Sequence, residues 1–70
     1  MALESLNISV RGMTCQNCRR SVERILSSTP GVTKVTVDLD GARAEVEYDS
    51  DLVRPEVLID AVRQIGYEAA

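Results

Sequence analysis

At 70 residues and 7.7 kDa the chain has room for one small core, because folding at this length buries only about 60% of the unfolded surface. Its 44% apolar and 27% charged residues exclude a disordered chain, and its length excludes a multi-lobed enzyme with an enclosed cleft. A net charge of -3 and an aromatic content of 3% exclude a general nucleic-acid binder, so a binding or carrier role stands ahead of catalysis.

Leu6, Ile8 and Val10 alternate with Asn7 and Ser9, which predicts a first strand over 5–10 with one buried face. From Cys18 the apolar positions shift to Val22, Ile25 and Leu26, the spacing of a helix that starts near Gln16 and stops at Ser28-Thr29-Pro30-Gly31. Val35, Val37 and Leu39, then Ala44, Val46 and Tyr48, alternate on either side of Asp40-Gly41, which reads as a β-hairpin with a tight turn. Pro55 suits a first helical position, and Leu58, Ala61, Val62 and Ile65 form an apolar stripe stopped by Gly66, giving a second helix over 54–65. Tyr67 to Ala70 remain to begin a short last strand. The order βαββαβ predicts a single α+β domain over 1–70, a ferredoxin-like sandwich with a four-stranded antiparallel sheet and two helices on one face. Alternating directions then place the turn after strand one, the Asp40-Gly41 tip and the Gly66-Tyr67 turn at one end.

That end carries Gly12-Met13-Thr14-Cys15-Gln16-Asn17-Cys18, where the two cysteines of the chain sit at a strand-to-helix junction. Free amides and the positive end of the helix dipole stabilise thiolate there, and thiolate is the form that binds metal or attacks disulfides. Cys18 leads the apolar stripe and is expected half-buried, with Cys15 more exposed. Cys-x-x-Cys by itself serves redox enzymes, zinc sites, clusters and soft-metal carriers. With two cysteines and no histidine, a closed four-ligand zinc or cluster site within one chain is excluded, although two chains could share a metal. A thioredoxin-type reading is disfavoured by the length and by the absence of tryptophan. Low-coordinate binding of Cu(I), a soft ion matched to sulfur, fits best.

Five cations against two acids in residues 1–35 give that half +3 and leave -6 for 36–70, so the two ends of the chain could face opposite partners. Arg19 and Arg20 lie in the first turn of the first helix, where cations oppose the dipole. They read equally as electrostatic support and docking points for an acidic partner, or as solvated side chains with Arg19 paired to Glu23. The acids Asp38, Asp40, Glu45, Glu47, Asp49 and Asp51 alternate on strands and flank turns, the pattern of a solvated face. No apolar run near Met1 approaches a secretory segment, and none reaches the ~20 residues of a membrane span. The expected address is the cytoplasm, without membrane insertion.

The stretch Gly12-Met13-Thr14-Cys15-Gln16-Asn17-Cys18, with Val22-Glu23, Pro30-Gly31-Val32, Val35-Thr36-Val37, Ala44-Glu45-Val46 and Ile65-Gly66-Tyr67-Glu68-Ala69, resembles the heavy-metal-associated domains. These are small cytosolic copper chaperones and the N-terminal extensions of copper-transporting P-type ATPases. The resemblance implies a non-enzymatic carrier that holds one Cu(I) per chain on Cys15 and Cys18 and passes it by ligand exchange. The implied partner is a copper-transporting P-type ATPase or its chaperone, with a metal-bridged homodimer as a further possibility. Met13 corresponds to a core residue that fixes the loop. Thr14 stands where zinc and cadmium exporters of this family carry an acid, which favours monovalent copper. Tyr67 resembles the aromatic of bacterial members, either shielding the site and steadying Cys18 or serving as packing. The alternatives are a mercury or other soft-metal domain, which the same fold and cysteine pair resemble, and a dithiol redox module. Met1 and the length lean toward a free chaperone, and the abrupt end at Ala70 toward a domain cut from an ATPase.

Overall fold

A computed structural model describes residues 2–70 and shows six elements: β1 (Leu3–Arg11), α1 (Gln16–Ser27), β2 (Val32–Asp38), β3 (Arg43–Asp49), α2 (Pro55–Gln64) and β4 (Glu68–Ala69). The strands form one antiparallel sheet in the order β2-β3-β1-β4, the ferredoxin-like arrangement that the pattern of elements predicts. Alternation decides which face is dry. Ile8 and Val10 of β1, Val37 of β2, and Ala44, Val46 and Tyr48 of β3 are buried together with Val22 and Leu26 of α1 and Leu58 and Val62 of α2. The intervening Ser5, Asn7, Ser9, Thr36, Glu45 and Glu47 are exposed, so the opposite face of the sheet meets water.

The elements are longer or shorter than periodicity alone suggests where a neighbouring strand decides. β1 begins at Leu3 because Leu3 to Ser9 pair residue by residue with Asp49 to Arg43 of β3. β4 has two rungs only, Val10 with Ala69 and Arg11 with Glu68, extended by reciprocal amide bonds between Ser9 and Ala70 at 3.0 and 3.1 Å. Ile65 is corrected: it does not join the α2 stripe but caps the helix and stands 38% exposed. No helix of the described residues is long and apolar enough to cross a membrane.

The hairpin turn also departs from its expected form. It spans 39–42, and the left-handed position falls on Ala42, with φ of 52°, rather than on Gly41. Gly41 lies close under Asp38: its amide donates to Asp38 Oδ1 at 3.0 Å, and a Cβ there would stand 2.6 Å from Asp38 Oδ2, which the exposed carboxylate could relieve by rotating. Alanine in the left-handed region is disfavoured by roughly 1–2 kcal/mol, more than glycine loses in chain entropy. Ala42→Gly is therefore expected to raise stability by about 0.5 kcal/mol in urea denaturation. An unchanged or lower midpoint would show that this turn stores no strain.

The register brings Ser9 opposite Arg43 and Arg11 opposite Glu68. The loop after β1, the 39–42 turn and the turn before β4 consequently share one end of the sheet. The cysteines are at that end.

Candidate metal centre

Cys15 is the N-cap of α1, in extended conformation, and its carbonyl accepts the amide of Arg19 at 3.2 Å. No side chain caps the helix and no acid lies in its first turn. The amides of Gln16, Asn17 and Cys18 consequently have no intrahelical acceptor, and the positive end of the helix faces the loop. Cys18, one turn into the helix, is half-buried, while Cys15 is exposed. Both are free thiols, with their sulfurs 3.7 Å apart. The helical turn that separates them is what brings both side chains to one side.

Two further groups act on Cys18. Thr14 Oγ1 lies 3.8 Å from its sulfur. Tyr67, in the turn before β4, is the second, and its phenol favours the thiolate of the same residue. Together they hold the Cys18 thiol down from an ordinary 9.0 to about 6, with Tyr67 the largest influence, then the Thr14 backbone, the Thr14 hydroxyl and Cys15. The reciprocal effect raises the Tyr67 phenol, since its proton is kept by the neighbouring sulfur. The contribution of Thr14 is invisible to a reading that treats it only as a missing acid. The available signal is its spacing, four residues before Cys18 across a helix start.

The remaining site candidates separate. Met13 is half-buried and packs against the core. Arg19 is committed to its own helix, donating from Nε to Gln16 Oε1 at 2.6 Å and from Nη1 to Glu23 Oε2 at 2.8 Å. Arg20 is exposed and makes no ion pair among the described residues. An open groove of about 460 Å³ between α1 and the turn before β4 is lined by Ser21, Arg24, Ile25, Ser28, Ile65 and Tyr67. Among the described residues no three of Cys, His, Asp and Glu come together as a metal cage. Any ion held by the two sulfurs would therefore keep open positions.

Comparison with known proteins finds relatives along nearly the whole chain. The profile of the heavy-metal-associated domain matches residues 7–68. The copper chaperone CopZ of Staphylococcus haemolyticus (strain JCSC1435) is 41% identical over 61 residues, covering 87% of this chain and 90% of that protein. Copper-transporting ATPase 1 of Mus musculus is 38% identical over 63 residues, covering 90% of this chain and 4% of the ATPase. The chain thus spans a small fraction of the length of the ATPases it matches. The crystal structure of a copper binding domain from HMA7, a P-type ATPase, superposes with a TM-score of 0.92 at 38% identity, covering 94% of this chain and 89% of that one.

Proposed function

This chain belongs to the heavy-metal-associated domain family, and from that premise we propose that it binds one Cu(I) through Cys15 and Cys18 and hands it to a partner by sulfur exchange. The observation that carries the reading is a pair of free sulfurs 3.7 Å apart at an exposed tip, with no His, Asp, Glu or further Cys completing a cluster among the described residues. Two soft donors and no hard ones suit a soft monovalent ion better than zinc, which takes four. At thiolate–metal bonds of about 2.3 Å, a linear pair of ligands would span roughly 4.6 Å. The sulfurs must therefore part by somewhat under about 1 Å, which rotation of the exposed Cys15 side chain supplies.

Transfer follows from the same openness. A partner thiolate adds to the two-coordinate ion, giving a three-sulfur intermediate, and one original sulfur then leaves. The copper is never free. Cys15, exposed at the N-cap, is the side from which a partner enters. Cys18 stays anchored by the helix and by Tyr67 and Thr14. Two thiolates and one Cu⁺ leave a charge of -1, offset by the helix N-terminus. Nothing in the cycle changes a covalent bond of a substrate, so the domain is a carrier and not an enzyme. The fitting partner is a copper-transporting P-type ATPase or the chaperone that serves one, in the cytoplasm, docking over the exposed Ile65 and the adjoining groove.

Of the two first-turn arginines, Arg20 is the one free to meet an acidic partner face. Arg20→Ser is expected to slow transfer to such a partner by about two- to threefold at low salt, an effect that fades as salt screens the charge. Arg19→Ser should change the rate less, since its guanidinium is already paired. Transfer rates that do not respond to Arg20→Ser at low salt would remove the docking role. The function itself is tested by anaerobic Cu(I) titration against a competing chelator: a stoichiometry of one, lost with the cysteines, is the expected result. Disulfide reductase turnover without copper binding would replace it with a redox reading.

A further inference from the structure

Gly12 precedes the cysteine loop with φ of 103°, a conformation that by itself favours glycine. A second demand falls on the same atom. A Cβ at Gly12 would stand 3.3 Å from Cδ1 of the Tyr67 ring. Gly66 offers the contrast, since its φ is 100° but a Cβ there would meet nothing within 4 Å. Glycine at 66 serves the backbone only, whereas glycine at 12 also leaves room for a ring.

The sheet sets up this approach. Arg11 pairs with Glu68 in the last β1–β4 rung, and continuing that register by one step brings Gly12 opposite Tyr67. The turn that carries Tyr67 is fixed from the other side as well. Arg63 Nε donates to the Ala69 carbonyl at 2.9 Å, and the Gly66 amide to the Arg63 carbonyl at 3.0 Å. Tyr67 itself is half-buried and packs against the core. The ring is therefore held from behind, and the bare Cα of Gly12 is its seat in front.

We propose that Gly12 is a positioning residue of the cysteine site: by lacking a side chain it seats the Tyr67 ring against the β1–α1 loop that carries Cys15 and leads to Cys18. The proposal rests on the reading of Cys15 and Cys18 as the copper ligands. A methyl group at 12 crowds the ring and shifts it, or the loop, by a few tenths of an ångström. Gly12 touches no ligand, and its effect on the site passes through Tyr67.

The test compares the full chain with Gly12→Ala, Tyr67→Ala and the double variant, by Cu(I) competition, urea denaturation and nuclear Overhauser contacts between residue 12 and the ring of residue 67. The wild-type apo protein is expected to show the contact between the Gly12 α-protons and the Tyr67 ring. Gly12→Ala is expected to weaken Cu(I) binding by about threefold or more, within the range of couplings between touching residues, and to weaken it no further once Tyr67 is alanine. Equal weakening in both backgrounds would overturn the proposal, because loop strain would then act without the ring. Absence of the contact in the wild type would overturn it too. If Gly12→Ala fails to fold, folding restored in the double variant supports the seat, and where both fail through the left-handed backbone the wild-type contact decides, its presence supporting the seat and its absence overturning it. A wild-type chain that binds no Cu(I) sinks the copper reading alone, since the contact and the stability comparison still decide whether Gly12 seats the ring.

Discussion

Replacing either Cys15 or Cys18 with serine is expected to lower Cu(I) affinity by at least about a hundredfold, beyond the roughly 10- to 100-fold typical of changes outside the ligand set. The reason is arithmetic of donors. With two sulfurs and no third Cys, His, Asp or Glu clustered with them among the described residues, each cysteine would supply half the proposed ligand set. A serine hydroxyl is a hard, protonated donor that a soft ion does not accept in exchange. Neither substitution should damage the fold, because Cys15 is exposed and Cys18 only half-buried, and neither appears in the buried core. Chelator competition under anaerobic conditions reads the affinity, and circular dichroism reads the fold. A single serine variant that keeps wild-type affinity would mean that the ion sits elsewhere.

The second large effect is on pH. With Cys18 held at about 6 rather than 9.0, about 90% of that sulfur is thiolate at neutral pH, against about 1% for an unperturbed thiol. Because the pKa is lowered, the proton is absent above about 6 and returns as pH falls through that value. The native thiolate therefore contributes stability that is fully present above 9.0 and lost on acidification through about 6. Copper competes with the same proton, so apparent affinity is expected to fall more steeply once the pH drops through about 6. Thiolate absorbance or alkylation rate of the apo protein, followed against pH, gives the midpoint. Since the sulfurs lie 3.7 Å apart, it belongs to the first proton lost by the pair. Tyr67→Phe removes the largest influence and should move the midpoint up, with Thr14→Val following to a smaller extent. A wild-type midpoint near the ordinary thiol value would refute the account.

A Cys15–Cys18 disulfide would compete with copper for the same sulfurs. The short separation makes that bond reachable with modest rotation, and a reducing compartment keeps it open.

Much of this was legible along the chain. The change from period two at Leu6-Ile8-Val10 to helical spacing at Cys18-Val22-Leu26 locates a strand-to-helix junction, and the cysteines fall on it. Alternation at Val35-Val37 and Ala44-Val46-Tyr48 gives the hairpin, and Pro55 marks the start of α2. These are local signals, in which each residue's preference depends on near neighbours in sequence. The less legible features are Ile65 turning out of the stripe, the left-handed Ala42 and the Thr14 hydroxyl at Cys18. Each depends on where a turn or a packed neighbour leaves room, and periodicity carries no record of that.

The sequence by itself therefore determined the order of elements, the dry and wet faces of the sheet, and two cysteines one helical turn apart at a helix start. The tertiary structure alone decided which groups surround those sulfurs. The pairing of β1 with β4 carries Tyr67 across to Gly12, at the start of the loop that holds Cys15. The physical reason is range. Hydrophobic period and helix-start chemistry act over a few residues, whereas an aromatic ring and a bare Cα from opposite ends of the chain meet only after the sheet has closed between them.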